Sequence, residues 1–204
     1  MGRPEHGALG ALCVLNDDEF APGGGFPLHT HKDMEIITYV RRGAITHEDN
    51  LGNVGRTEAG DVQVMSAGSG ISHSEHNLEN EPTQLFQIWI KPREPGGAPG
   101  WSNRRFPRGD GSGRLVILAS GDPRDVSALP LRADARVLAG TMAAGEQITY
   151  ALSETHLGYV VTSSGQLEIN GVRLEARDGA AIRNEIDLTL TAIEDTELVL
   201  VDLG

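Results

Sequence analysis

Two short pairs of potential metal ligands stand out in this sequence. His29 and His31 are separated by one residue, and so are His73 and Glu75. On a β-strand, residues two apart project from the same face, so each pair would present both side chains together. If the two strands face each other across a barrel, three imidazoles and one carboxylate converge. The spacing therefore predicts a metal site.

The residue types at this site indicate a catalytic metal. Imidazole nitrogens with one carboxylate suit Fe(II), Mn(II), Ni(II), Cu(II) or Zn(II). A closed structural zinc site would more often use thiolates, and the chain has a single cysteine, Cys13. An octahedral ion held by four protein ligands keeps two positions for water, dioxygen or a chelating substrate. That arrangement is what an oxygen-using metalloenzyme needs.

The spacing leaves two assignments open. The segment from Phe26 to Val40 is predicted as strand, so Glu35, four residues after His31, would share its face and compete with Glu75 as the fourth ligand. His47 would either orient a ligand from behind or lie on a strand without a role. The other histidines are interpreted as ordinary loop or core residues: His6, His76 and His156.

The elements that must position these residues are predicted to be short strands. The 204 residues include 26 glycines and 10 prolines, which favours many turns over long helices. Several short segments are rich in β-branched and aromatic residues, with Leu85–Ile90 the clearest, and no 3.6-residue periodicity competes with them. Residues 16–25 are predicted as loop, and glycine-rich bends precede both ligand pairs. The pattern predicts an all-β antiparallel barrel or sandwich.

A segment rich in proline and glycine, Lys91 to Gly113, is predicted to separate two units, 1–112 and 113–204. A weak internal repeat, in which Gly55–Val62 resembles Gly171–Gly179, predicts that the units arose by duplication. The second unit is expected to lack the site, because no histidine occurs in Ile148–Glu154, where the first pair should recur.

The overall charge excludes several classes of protein. The net charge is −12 and the pI is about 4.9, so the chain has no electrostatic footprint for nucleic acid. No apolar run reaches the roughly 20 residues of a membrane span, and no apolar signal core follows the first residues. One cysteine suits a reducing compartment. We expect a cytoplasmic, monomeric protein.

Three segments resemble the pirin family of cupins. The first runs from Gly25 to Val40 and holds His-Thr-His, the second from Gly43 to Gly52, and the third from Gly60 to Glu75. The resemblance is almost unbroken from about Gly25 to Lys91. This sequence differs from the general cupin pattern in two places. It has Ser66 where cupins usually have proline, and four residues rather than two separate Gly68 from His73. Both differences are similar to pirins.

The resemblance implies two tandem cupin barrels, of the double-stranded β-helix or jelly-roll type. The N-terminal barrel, 1–112, would hold one divalent transition metal, with Fe(II) expected and Mn, Ni, Cu or Zn as alternatives. The C-terminal barrel, 113–204, would be degenerate and metal-free. By resemblance, the ligands are His29, His31, His73 and Glu75, which favours Glu75 over Glu35.

The resemblance also implies a pirin-like oxidoreductase of the quercetin 2,3-dioxygenase type. Such an enzyme would cleave quercetin or a related flavonol with O2, and Glu75 would accept the substrate's 3-hydroxyl proton as the catalytic base. A second hypothesis is a non-enzymatic metal- and redox-sensing regulator that acts through protein partners, which an acidic surface permits. A third is a retained but idle site, because cupins carry many functions on one scaffold.

Overall fold

Strands form the regular secondary structure of this chain. The computed structural model describes residues 7–106 and 113–204, which contain strands and turns and no helix. In this described part, therefore, no helix is long and apolar enough to cross a membrane. The predicted all-β class is confirmed. The contacts divide the chain into two units, of which the first also takes in Leu129–Asp134.

The first unit consists of two antiparallel sheets. Its strands are β1 (Leu12–Phe20), β2 (Gly25–His31), β3 (Glu35–Arg42), β4 (Ala44–Asp49), β5 (Val54–Glu58), β6 (Val62–Ser66), β7 (Ile71–His76), β8 (Thr83–Ile90) and β9 (Gly100–Arg104). One sheet has the order β1-β8-β3-β6-β9 and the other β2-β7-β4-β5. Ile36 of β3, Met65 of β6 and Ile71 of β7 share one buried cluster, so the inner faces of the two sheets pack together.

The second unit repeats this arrangement. The short β11 (Leu129–Pro130) belongs to the segment grouped with the first unit. The strands of the second unit are β10 (Val116–Ser120), β12 (Ala135–Met142), β13 (Gln147–Ala151), β14 (Leu157–Ser164), β15 (Leu167–Ile169), β16 (Val172–Leu174), β17 (Gly179–Ile182), β18 (Asp187–Ala192) and β19 (Thr196–Leu203). Its sheet β13-β18-β15-β16 has the same order as β2-β7-β4-β5, and β12-β19-β14-β17 matches β1-β8-β3-β6. The shared order supports the predicted duplication.

Two expectations about local structure are wrong. Residues 16–20 are strand rather than loop, because pairing with β8, from Asn16 opposite Gln87 to Phe20 opposite Thr83, overrides their polar composition. The predicted strand from Phe26 to Val40 is interrupted between β2 and β3, where Asp33 adopts a φ of 51°. The two strands therefore lie in different sheets.

The predicted boundary between residues 112 and 113 borders on residues outside the described part of the chain, and it stays a prediction. One strand lies inside the predicted linker segment. This strand, β9, extends the first unit by pairing with β6, from Val62 opposite Arg104 to Ser66 opposite Gly100. The first sheet therefore continues well beyond Lys91.

Gly25 allows β2 to approach β7 closely. Its φ is 154°, and a Cβ at this position would overlap the backbone carbonyl oxygen of Glu75. Gly23, two residues earlier, has a φ of 75° but open space around its Cα. These glycines form the bend that was predicted before the first histidine pair. Only Gly25 is required for the contact between the strands.

This difference predicts unequal effects of two alanine substitutions. Gly23→Ala and Gly25→Ala each introduce about 1–3 kcal/mol of backbone strain. Gly25→Ala adds a steric overlap with Glu75 that costs about 1–3 kcal/mol more. We expect urea denaturation to show a clearly larger loss of unfolding free energy for Gly25→Ala. Equal losses would show that β2 does not depend on this close approach.

Candidate metal centre

Three of the predicted ligands converge where β2 pairs with β7, so the two strands are neighbours in one sheet and do not face each other across the barrel as predicted. His29 lies directly opposite His73 in this pairing. The ring centroid of His29 lies 4.6 Å from that of His31 and 4.5 Å from that of His73. The centroids of His31 and His73 are 5.2 Å apart. One nitrogen of each ring lies within 4.8 Å of the other two. A single cation fits between side chains at this separation.

A β-bulge in β2 orients His29. Phe26 pairs with Glu75 and His29 with His73, so two residues of β2 lie opposite a single residue of β7. The extra residue brings Phe26 onto the same face as His29. The carbonyl oxygen of Pro27, inside the bulge, accepts a hydrogen bond of 2.7 Å from His29 Nδ1. A neutral ring that donates through Nδ1 keeps a free lone pair on Nε2.

The other two histidines carry buried nitrogens that lack hydrogen-bond partners. In the described structure, Nε2 of His31 and Nε2 of His73 are both buried and unpaired. Burial, and then the neighbouring imidazoles, lower the pKa of His73 to about 3, and burial lowers the pKa of His31. Both rings are therefore neutral near pH 7. Unpaired buried polar atoms are rare, and two neutral nitrogens facing one place fit a transition-metal ion.

Glu75 lies beside this cluster, held by amides. Its side chain is buried and accepts hydrogen bonds from Nε2 of Gln63, from Nε2 of Gln87 at 2.9 Å and from Oγ1 of Thr38 at 3.5 Å. Burial raises the pKa of Glu75 to about 7, although these three donors oppose the rise. A carboxylate oxygen of Glu75 lies within 4.8 Å of ring nitrogens of His47 and His73. The role of Glu75 as fourth ligand stays a prediction.

Glu35 points to a different environment. Its carboxylate accepts hydrogen bonds from Ser66 Oγ at 2.7 Å and from the backbone N–H of Arg132 at 3.1 Å. Among the described residues, neither group that could hold a metal contains it. Glu35 does not share a face with His31 as predicted, because the turn at Asp33 separates their strands.

His47 is buried directly behind His73. Its ring is stacked on Trp101, with centroids 4.8 Å apart and planes 6° apart. Its Nδ1 lies 3.3 Å from Nδ1 of His73, and its Nε2 lies 3.1 Å from Oδ2 of Asp49. These contacts favour an orienting role over a position on a strand without a role.

The remaining histidines lie apart from the cluster or outside the described residues. His156 belongs to the second unit, where its Nδ1 lies 2.7 Å from Asp202. His76 ends β7 and is in neither group that could hold a metal. His6 is outside the described part of the chain. In the second unit, the strand pair equivalent to β2 and β7 packs apolar side chains into the core: Ile148, Tyr150, Leu188 and Leu190.

Sequence reasoning missed the groups that surround the ligands. Gln63 lies between Val62 and Val64 in β6, and Gln87 lies between Phe86 and Ile88 in β8, and a buried amide between apolar neighbours was an available signal. Asp49 follows His47 at the same spacing of two as the other pairs. Asp49 lies opposite His73, and His47 lies opposite Glu75. The adjacent strands β2, β7 and β4 therefore each carry one pair of such residues, spaced by two, on the same face of the sheet.

Comparisons with known proteins agree with this architecture. Residues 4–90 match the Pirin family, and residues 117–203 match the quercetinase C-terminal cupin domain, which confirms two cupin domains. A pirin-like protein of Caulobacter vibrioides is 63% identical over 98% of this chain and 86% of its own length. The quercetin 2,3-dioxygenase of Escherichia coli is 39% identical over 98% of this chain and 85% of its own length. The crystal structure of a bacterial pirin from Escherichia coli in complex with nickel(II) has a TM-score of 0.92 at 37% identity, covering 100% of this chain and 86% of that one.

The buried carboxylate predicts a pH-dependent stability in protein freed of metal with a chelator. Between pH 4.5 and about 7, folded Glu75 keeps a proton that the unfolded chain has released, so rising pH lowers the unfolding free energy. At about 1.4 kcal/mol per pKa unit, the loss attributable to Glu75 is about 3 kcal/mol.

Glu75→Gln removes this contribution. Urea denaturation at pH 5 and pH 7 should therefore show a smaller loss of stability in Glu75→Gln than in the unmodified chain, because the pKa of Glu75 is about 7. The same pH dependence in both proteins would contradict a raised pKa at this residue. Comparing the two proteins cancels the titration of the histidines.

Proposed function

Because the chain belongs to the pirin family, we propose that it is a metal-dependent dioxygenase that cleaves quercetin or a related flavonol with O2. The observation that carries the proposal is the pair of buried, unpaired Nε2 atoms on His31 and His73, which lie next to His29. Metal binding explains a cluster of imidazoles inside a barrel. The second unit has the same strand order, but apolar residues fill its core. The fold itself therefore does not require the histidines.

His29, His31 and His73 would hold the metal, with Glu75 as the proposed fourth ligand. Fe(II) is the proposed native ion, and the donor set also accepts Mn, Ni, Cu and Zn. When bound, the ion supplies Lewis acidity toward the substrate's oxygens and one-electron chemistry with dioxygen. The complex of the Escherichia coli pirin with nickel(II) supports a site for a divalent transition metal in this chain too.

Glu75 is the proposed base. In the metal-free chain, burial raises the pKa of Glu75 to about 7, so its carboxylate accepts a proton more readily than an exposed glutamate does. The amides of Gln63 and Gln87 hold the carboxylate in place. Glu75 would accept the proton of the flavonol 3-hydroxyl, which leaves an electron-rich flavonolate. In the reaction with O2, the two ring bonds to the hydroxyl-bearing carbon break. That carbon leaves as carbon monoxide, and both oxygen atoms of O2 remain in the ester product.

Aromatic side chains border the histidines and suit a planar substrate. Trp89 lies edge-on to His31 at a centroid distance of 4.8 Å, and Phe26 lies 6.1 Å from His29. Such rings offer apolar contact area at low cost in conformational entropy. Phe26 reaches this face only because of the bulge in β2. A flavonol, O2 and the metal are the proposed partners. The monomeric state, the cytoplasmic location and the absence of nucleic acid contacts stay predictions.

The proposed activity is tested by reconstituting the metal-free protein separately with Fe, Mn, Ni and Cu. We expect loss of quercetin accompanied by equimolar carbon monoxide with at least one ion. A His29→Ala/His73→Ala double variant should lose both metal and turnover, because two of the three clustered imidazoles are gone. Absence of turnover with every ion would contradict the flavonol assignment. Full metal content in the double variant would contradict the ligand assignment.

The choice of fourth ligand gives a separate prediction. Glu75→Gln should weaken metal binding by more than about tenfold in competition with a chromophoric chelator, because a charged ligand is lost. Glu35→Gln is the matched control and should bind metal normally, since Glu35 contacts Ser66 and the Arg132 backbone. Weak binding in Glu35→Gln with normal binding in Glu75→Gln would reverse the assignment.

A further inference from the structure

We propose that Asp49 and His47 form a hydrogen-bonded relay behind His73, which fixes His73 in its Nδ1–H form and keeps its Nε2 lone pair available. The relay makes His47 and Asp49 positioning residues for the metal ligand. The inference rests on the proposed function only in assigning the Nε2 lone pair of His73 to a metal ion. The positions of the protons are a property of the metal-free protein and are tested there.

Asp49 is a fixed hydrogen-bond acceptor at the start of the relay. Its Oδ1 accepts the backbone N–H groups of Leu51 at 2.9 Å and Asn53 at 3.0 Å. Its Oδ2 accepts Nδ2 of Asn53 at 2.9 Å and Nε2 of His47 at 3.1 Å. Burial opposes ionisation of Asp49, yet these donors outweigh it and lower its pKa. Asp49 is therefore a carboxylate, which only accepts hydrogen bonds.

Counting protons along the relay gives a single arrangement. Because Asp49 only accepts, Nε2 of His47 must carry a proton. The ring of His47 is fully buried and stacked on Trp101, where a charged imidazolium would be costly, so the ring is neutral and its Nδ1 has no proton. The contact of 3.3 Å between the two Nδ1 atoms then requires His73 to donate. His73 donates through Nδ1, and its Nε2 is buried without an acceptor for a second proton in the described structure, so Nε2 is bare.

Packing holds the middle of the relay in place. His47 lies on β4 between its pairing partners, Glu75 on β7 and Gly55 on β5. A Cβ at Gly55 would overlap the ring of Trp101, so glycine leaves the space that this ring occupies. The ring of Trp101 in turn stacks on His47. The imidazole therefore has little freedom to rotate away from Asp49 and His73.

Asp49→Asn is expected to reverse the relay. The new Oδ1 can still accept the two backbone N–H groups, so the turn is preserved. The Oδ2 position, which also accepts Nδ2 of Asn53, would become the amide nitrogen, so the Asn53 amide flips to present its oxygen. The new amide group would then donate to Nε2 of His47, which moves that ring's proton to Nδ1. His47 would then donate to His73, and the proton of His73 would sit on Nε2, where it obstructs metal binding.

The first test is the protonation pattern of the metal-free wild-type protein. Long-range 1H–15N correlation spectra of imidazole rings distinguish the Nδ1–H and Nε2–H forms directly. We expect His73 as Nδ1–H and His47 as Nε2–H, and Asp49→Asn should exchange both. A wild-type His73 in the Nε2–H form would overturn the proposal, even if the variant did not fold. Unchanged forms in a folded Asp49→Asn variant would also overturn it.

Metal affinity provides the second readout. Asp49→Asn should bind Ni(II) about 10- to 100-fold more weakly than wild type in chelator competition. Asp178→Asn is the matched control, since Asp178 accepts a backbone N–H in a turn of the second unit and forms no hydrogen bond with any of the described histidines. Equal affinities in both variants would contradict the relay. If wild-type His73 and His47 have the expected imidazole forms but the protein does not turn over quercetin, only the proposed dioxygenase activity is contradicted. If the protein turns over quercetin but the two imidazole forms are the reverse of those expected, only the relay is contradicted.

Discussion

The pairing of β2 with β7 is the constraint on which the rest of the site depends. It places His29 opposite His73, and the bulge after Phe26 sets which residues of β2 face inward. A shift of one residue would turn the histidines to the opposite face. Gly25 permits the close approach to β7 that this register needs, and the hydrogen bond from His29 to the Pro27 carbonyl holds the ring against the bulge. The geometry of the metal centre is thus a property of backbone pairing.

The interior of the first barrel is unusually polar, and its groups are arranged so that almost every proton has an acceptor. Glu75 is surrounded by amide and hydroxyl donors, and His73 is backed by His47 and Asp49. Among the described residues of this unit, the buried side-chain atoms without a partner are Oδ2 of Asp18, Nε of Arg41, Nε1 of Trp101 and the Nε2 atoms of His31 and His73, and only the two Nε2 atoms belong to the histidine cluster. Unsatisfied buried atoms cost stability, so their presence at one place marks where binding a cation would compensate. The second unit, with the same strand order, avoids this cost with leucine and isoleucine.

Much of the fold followed from local sequence patterns. Alternating and β-branched segments predicted the strands, and the repeat around Gly55 and Gly171 predicted two related units, which the matching strand orders support. Histidines two residues apart predicted the cluster, because alternation along a strand is local. The predicted loop at residues 16–20 was wrong, since that strand forms only through its pairing with β8, which is distant in sequence.

By itself, the sequence determined the class of fold, the presence of a histidine cluster and the type of ion that it suits. It left Glu35 and Glu75 as equal candidates until the resemblance favoured Glu75. Only the tertiary structure showed that Glu35 contacts Ser66 and the Arg132 backbone, and that Asp49 reaches His73 through His47. The physical reason is that side-chain direction within one strand is a local property. The partners that a side chain meets depend on turns, bulges and strand register, which long-range pairing sets.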